Sequence, residues 1–382
     1  MKLLPLLLCC LLLTGCSSWE TSSHPTVPET TASNQSVPTE TTIPETEPPD
    51  PIQELLDSMT VEERVGQLFL ARCSDATALT DISQYHLGGF VLFGADFREQ
   101  TPQTMTEKLS GYQAAAKIPL LVAVDEEGGT VTRVSSNPAF RESKFASPRE
   151  LYSWGGMEWV LAVEEEKCQL LSSLGINVNL GPVCDITTDP SAFMYRRSFG
   201  EDADATGNFV ASTVRIMNAY QVGSVLKHFP GYGNNTDTHT GIAVDSRSLQ
   251  ELEGNDLIPF RYGMEAGCGA VMVSHTIIEA IDPELPASLS KVVHYYLRGA
   301  MDFDGVIITD DLVMQAITDQ YGAGEAAVMA VQAGNDLLCS TEYALQYEAV
   351  LAAVQDGRID MEILNTATYH VLQWKANLGL IL

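Results

Sequence analysis

The sequence predicts an α/β protein organised as a single (β/α)8 TIM-type barrel, preceded by a signal peptide and a disordered linker. Three observations carry this. From Ile52 onward, short apolar runs alternate with longer amphipathic stretches, the pattern of βαβ units on a parallel sheet. Eight such runs can be counted, enough to close a barrel. Ionisable residues collect at the ends of five of them, where barrels of this kind build their sites.

The N-terminus comes first. Lys2 precedes an apolar run over residues 3–13, too short to span a bilayer and the right length for a signal-peptide core. It ends in Leu13-Thr14-Gly15-Cys16, which resembles a bacterial lipobox. Residues 1–15 then read as a lipoprotein signal peptide and Cys16 as the lipidated residue. Acyl chains there would hold the protein to the bacterial cell membrane, on the extracellular face or in the periplasm, without a transmembrane helix. The plainer alternative is an ordinary signal peptide in which Cys16 plays no part. Residues 16–50 are Thr, Ser, Pro and Glu with almost no large apolar side chains. They bury too little to offset the entropy of ordering, so they read as an extended tether. Residues 51–382 remain for the catalytic-type domain, against about 250 typical of such a barrel.

Within that domain the apolar runs are 65–73, 89–93, 120–124, 176–180, 225–229, 270–273, 305–308 and 336–339. The first is also compatible with a partly helical segment. Residues 157–174 and 326–333 read as helices. The rival architecture is an open doubly wound sheet, but no G-x-G-x-x-G follows an early strand. Cys73, Cys168, Cys184, Cys268 and Cys339 are odd in number and form no C-x-x-C, so neither a disulfide framework nor a structural zinc is expected. They read as small buried hydrophobes. A net charge of −29 repels phosphate backbones and argues against nucleic-acid binding.

The polar run ends are Asp125-Glu126-Glu127 after the third, Asp185 after the fourth, Lys227-His228 in the fifth, Ser274-His275 after the sixth and Asp310-Asp311 after the seventh. A carboxylate such as Asp310, at the end of an apolar strand, serves as metal ligand, general base or covalent nucleophile. Asp also caps helices, and the pair divides naturally into Asp310 for chemistry and Asp311 for capping. In the fifth segment, Lys227-His228-Phe229-Pro230-Gly231-Tyr232-Gly233 leads to Asp237-Thr238-His239. Lys227 and His228 are suited to donate to sugar hydroxyls. Asp237 is placed to bond one ring nitrogen of His239 and fix its tautomer, leaving the other to protonate a leaving oxygen. The bland alternative is an exposed turn whose polar residues are incidental.

These segments together resemble glycoside hydrolase family 3, and within it the single-domain β-N-acetylglucosaminidase (β-N-acetylhexosaminidase) branch of the peptidoglycan-recycling type. Matching pieces are Val124-Asp125-Glu126-Glu127-Gly128-Gly129 with Arg133, the run from Gly175 to Asp185, Arg197-Ser198-Phe199-Gly200-Glu201-Asp202, and Ala333-Gly334-Asn335-Asp336. They occur in the expected order from Ile52 to the C-terminus. The resemblance implies Asp310 as nucleophile and His239, paired with Asp237, as acid/base. It also implies that Asp125, Arg133, Arg197, Lys227 and His228 hold the hydroxyls of the terminal sugar. No metal and no cofactor are implied. The expected partners are β-N-acetylglucosaminide glycans, such as muropeptides in which N-acetylglucosamine is joined to N-acetylmuramic acid, and the acting species is expected to be a monomer. A His acid/base removes a like charge beside Asp310, which eases the approach of an anionic aglycone.

The chain departs from the family pattern in three places. Tyr232 stands where His is usual, Glu126 where Gln is common, and Arg196 sits beside Arg197, although the Arg-Ser-Phe-Gly register selects Arg197. Glu126 is expected to add negative charge near the rim. Rival readings are a family 3 β-glucosidase or β-xylosidase, an inactive glycan-binding lipoprotein, and a metal-dependent hydrolase built on His228, His239 and His275. The first usually draws its acid/base from a second domain, the second predicts loss of Asp310 or His239, and the third would set Lys227 beside the metal.

Overall fold

The computed structural model describes residues 50–233 and 241–381. Cys16 with the rest of the N-terminal segment, and Asp237 and His239, lie outside the described residues. The folded body opens at Asp50, whose carboxylate accepts the Ile52 amide at 2.9 Å and the Tyr369 hydroxyl at 2.8 Å.

Each of the eight apolar runs overlaps a strand. These are β1 (Phe69–Arg72), β2 (Gly89–Leu92), β3 (Leu121–Val124), β4 (Val178–Asn179), β5 (Gly223–Phe229), β6 (Ala270–Val273), β7 (Val306–Thr309) and β8 (Leu338–Ser340). All neighbours pair in parallel, in the order β7-β6-β5-β4-β3-β2-β1-β8. The ends of this sheet meet through a parallel bridge between Ile308 and Leu337. The Asp336 and Leu337 amides both donate to the Ile307 carbonyl, at 2.8 and 3.1 Å. The sheet is thus closed into a barrel, and helices run between its strands. Val, Ile, Leu and Phe dominate the strands because both faces are covered, which suits branched and aromatic side chains.

Two expected elements differ most in their bounds. The first run is helical over Val61–Gln67, behind a Thr60/Glu63 capping box, and extended only from Phe69. The helix expected over 157–174 begins earlier, at Pro148, and is broken at Gly155 and Gly156. Ser147 and Glu150 form the capping box that starts it.

Alternation along the strands decides what faces the barrel axis. Leu70, Val91, Ala123, Val178, Val225, Met272, Ile308 and Cys339 pack together in one buried cluster inside the barrel. Two residues beyond Ala123, Val225 and Ile308, on the same face, stand Asp125, Lys227 and Asp310. At the opposite end the cluster continues into Val371 and Trp374 of the helix Met361–Asn377 and its C-cap residue Leu378. Trp374 comes so close to the strand starts that a Cβ on Gly269 would lie 1.9 Å from its indole nitrogen. Only glycine permits that approach.

Candidate active site

The loop after β3 turns sharply to bring its acids over the barrel. Gly128 has φ +105°, and a Cβ there would lie 2.3 Å from the Ala146 carbonyl. The Glu127 and Gly128 amides both donate to the Val131 carbonyl, at 3.0 and 3.1 Å. Beneath this turn Glu126 is fully buried. Its carboxylate accepts the amides of Arg133 at 2.8 Å and Val134 at 2.7 Å, together with the Ser135 hydroxyl. This corrects the expectation that Glu126 adds charge at the rim: its carboxylate is spent organising the loop that carries Arg133.

From these elements a continuous chain of alternating charges crosses the C-terminal end of the barrel. Lys227 Nζ bridges Asp125 at 2.7 Å and Glu127 at 2.6 Å. Arg197 grips Glu127 with two nitrogens, at 2.9 and 2.7 Å. A guanidinium nitrogen of Arg197 also lies 3.2 Å from His228 Nε2. Arg197 only donates, so Nε2 accepts and Nδ1–H is left to donate to Asp185, 2.8 Å away. Asp185 further accepts the amides of His228 at 3.1 Å and Tyr232 at 2.7 Å. At the other end Arg133 approaches Asp125 at 3.8 Å.

Lys227 is 2% exposed and Glu127 is 7% exposed, so each needs the other's charge. Burial alone would lower the Lys227 ammonium, but the Asp125 and Glu127 carboxylates outweigh it and raise it. Burial likewise opposes ionisation of Glu127, yet Arg197 and Lys227 hold its carboxyl far below the usual range. Glu127, Lys227 and Arg197 are therefore held as ion pairs, and the donors and acceptors around them are preorganised.

Asp310 arrives from β7. Its amide donates to the Val273 carbonyl at 3.1 Å, and one carboxylate oxygen accepts the Asp311 amide at 2.8 Å. The following peptide is pinned by His275, whose Nε2 lies 3.1 Å from the Asp311 carbonyl and whose Nδ1 meets the Ser288 hydroxyl at 2.7 Å. Asp311 does not cap a helix. The next helix is Gln315–Tyr321 with Met314 at its cap, and the Asp311 carboxylate instead accepts the Val313 amide at 3.1 Å and the Thr341 hydroxyl at 2.6 Å. It ties the end of β7 to the residue following β8, which two adjacent acids at a strand end do not reveal. Beneath the site the Cys339 thiol is pushed well up by burial and by the carboxylates of Asp311, Asp310 and Asp125. Groups from β7 and β3 thus act on one interior atom of β8.

The structure therefore brings Asp125, Arg133, Arg197, Lys227 and His228 into one network, on the barrel end that also carries Asp310. Two of its members, Glu127 and Asp185, stand at run ends that the sequence marks as polar, but the family resemblance assigns them no role. The signal was present: both follow apolar runs, and a lysine and an arginine held at strand ends need carboxylates between them. Tyr232 is buried, edge-on to His228 with ring centroids 5.1 Å apart and 5.7 Å from Phe193. For metal ligation, the ring nitrogens of His228 and His275 are already engaged as described. Among the described residues, Cys73, Asp75 and Asp96 lie close enough to share an ion. Lys108, however, holds Asp75 at 3.0 Å and Arg72 approaches Asp96 at 3.4 Å.

The family model of the glycosyl hydrolase family 3 N terminal domain matches residues 60–374. The β-hexosaminidase of Stenotrophomonas maltophilia (strain R551-3) is 34% identical over 303 residues, 77% of this chain and 86% of its own. The β-hexosaminidase LpqI of Mycobacterium tuberculosis is 31% identical over 327 residues, 82% of each chain. Among solved structures, M. tuberculosis LpqI aligns with a TM-score of 0.78 at 28% identity, over 85% of this chain and 96% of its own. The family 3 β-N-acetylglucosaminidase from Paenibacillus sp. str. FPU-7 aligns with a TM-score of 0.79 at 33% identity over 85% of this chain, which spans 63% of that protein's length.

Proposed function

The chain belongs to glycosyl hydrolase family 3, and from that premise we propose that it is a retaining exo-β-N-acetylglucosaminidase acting on peptidoglycan fragments or related glycans. One observation carries the reading: an interior-facing carboxylate, Asp310, shares its end of the barrel with a largely buried, charge-balanced chain of Asp125, Lys227, Glu127, Arg197 and His228. Such alternating donors and acceptors suit hydroxyl-rich ligands, since each hydroxyl both donates and accepts.

In this reading the terminal sugar sits over Cys339, with Asp125, Arg133, Arg197, Lys227 and His228 on its hydroxyls. Asp310 attacks the anomeric carbon while the bond to the aglycone oxygen breaks, and His239, oriented by Asp237, gives that oxygen a proton. The product is a glycosyl ester of Asp310. His239 then takes a proton from water as the water attacks the same carbon, freeing Asp310 and returning the original anomeric configuration. The positive charge that develops on the sugar ring in both steps is met by the carboxylates of Asp310 and Asp125. Support for the Asp237/His239 pair is the motif itself, in the family position. The proposal extends to location: Lys2, the apolar run and Cys16 support an exported protein anchored by lipid to the bacterial cell membrane.

The test is hydrolysis of the 4-nitrophenyl β-glycosides of N-acetylglucosamine and glucose by the full chain, beside Asp310→Ala. Release from the N-acetylglucosaminide alone, lost in the variant, is the expected result. Activity mainly on the glucoside would move the enzyme to the glucosidase reading. A folded protein inactive on both would favour glycan binding without catalysis.

A further inference from the structure

A second cleft, of about 510 Å³, opens on the same end of the barrel, between the loops that follow β3 and β4. It lies beside the chain of charges proposed to hold the sugar, since its wall includes Gly129, two residues beyond Glu127, and Arg196, next to Arg197. Its charge contradicts the rest of the molecule. The chain has 50 acidic and 21 basic side chains, yet Lys144, Arg149 and Arg196 all line this one cleft. Among the described residues, none of the three has a carboxylate within ion-pair distance.

The cations are held in place by other means. Arg149 donates to the Thr187 carbonyl at 2.7 Å and the Ser198 hydroxyl at 2.8 Å, and its guanidinium lies 4.0 Å over the Tyr195 ring. Lys144 Nζ donates to the Gly129 carbonyl at 2.8 Å. Arg196 is exposed. The one acid in the lining, Glu150, is engaged with the Ser147 amide and hydroxyl at 2.9 and 2.8 Å; those hydrogen bonds, and to a lesser extent the nearby Lys144 charge, lower its pKa. Beside the cations stands Trp154, 59% exposed. An indole face next to unpaired cations suits a ligand with a flat or apolar body and an anionic end.

We propose that this cleft is a subsite for a carboxylate-bearing portion of the substrate, held by Lys144, Arg149 and Arg196 and stacked on Trp154. The proposal rests on the glycosidase reading, which supplies the substrate. A carboxylate of this kind has two sources, an acidic sugar or a peptide carried on the glycan, and the experiment separates them.

The full chain is titrated with N-acetylmuramic acid, as the sugar carboxylate, and with acetyl-alanyl-alanine, as the peptide carboxylate, each beside its uncharged amide. Binding is read by calorimetry at low salt, in the wild type, in a Lys144→Gln/Arg196→Gln double variant and in Trp154→Ala. One of the two acids should bind roughly tenfold more tightly than its amide, and the double variant should lose about that factor. Trp154→Ala should weaken acid and amide alike. Turnover of 4-nitrophenyl N-acetylglucosaminide by the double variant should stay at the wild-type level. Equal binding of acid and amide, no binding of either acid, or binding unaltered in the double variant would overturn the proposal. Loss of turnover in the wild type itself would instead count against the glycosidase reading, because the calorimetric result does not depend on it.

Discussion

Lys375 offers a quantitative test of how burial sets the stability of this barrel. It sits in the closing helix Met361–Asn377, fully buried, and its Nζ donates to Gln67 Oε1 at 2.6 Å. Among the described residues no carboxylate is within ion-pair distance of it. Burial pulls its pKa from 10.5 down to about 7. At about 1.4 kcal/mol per unit, that depression represents roughly 5 kcal/mol of destabilisation when the amine is charged. The sign follows from proton counts. Between about pH 7 and 10.5 the unfolded chain binds a proton that the folded chain does not, so stability rises with pH across that window. Below pH 7 both states are protonated and the full penalty applies. Lys375→Met removes the penalty but strands Gln67 Oε1, at about 1–3 kcal/mol. At pH 6 the variant should therefore be more stable than the wild type by roughly 2–4 kcal/mol. Between pH 7 and 9 that advantage should shrink by roughly 2–3 kcal/mol as the wild-type amine loses its proton on folding. Urea unfolding followed by circular dichroism at a series of pH values measures both quantities. Parallel stability curves for the two proteins would refute the reasoning, since they would mean that Lys375 titrates alike in both states.

Asp185→Asn should turn one of the two acceptor oxygens into a donor, so that the side chain no longer serves both the His228 ring and the Tyr232 amide. The expected result is a fall of about a hundredfold in kcat/KM with little change in the unfolding midpoint, measured on the 4-nitrophenyl N-acetylglucosaminide. Cys16→Ala should move the expressed protein from the membrane fraction to the soluble exported fraction, read by fractionation and blotting; retention in the membrane would sink the lipid-anchor reading.

The barrel was legible because its strands must be apolar on both faces. Runs such as 225–229 and 270–273 stand out against the amphipathic helices between them. The first run was ambiguous because Val65 packs in the core from a helix while Phe69 packs from a strand, and apolar content alone does not separate the two. Within the candidate site, residues at strand ends were visible as breaks in the apolar pattern. What could not be read was which acid meets which base. Glu126 and Glu127 are adjacent and alike, yet one is turned under the loop to hold Arg133 and Val134, and the other is turned over it to Arg197 and Lys227. That choice depends on Gly128 and on contacts from residues 70 and 100 positions away. Asp311 is a similar case, since its partner Thr341 is brought near only by closure of the barrel.

Closure at the far end of the barrel has its own consequence. Trp374 and its neighbours stop the channel between the strand starts, and Cys339 and the aliphatic layer fill the space above. Among the described residues, that packing leaves no passage along the barrel axis beneath Cys339. A floor closed in this way lets no chain thread through the barrel from one end to the other.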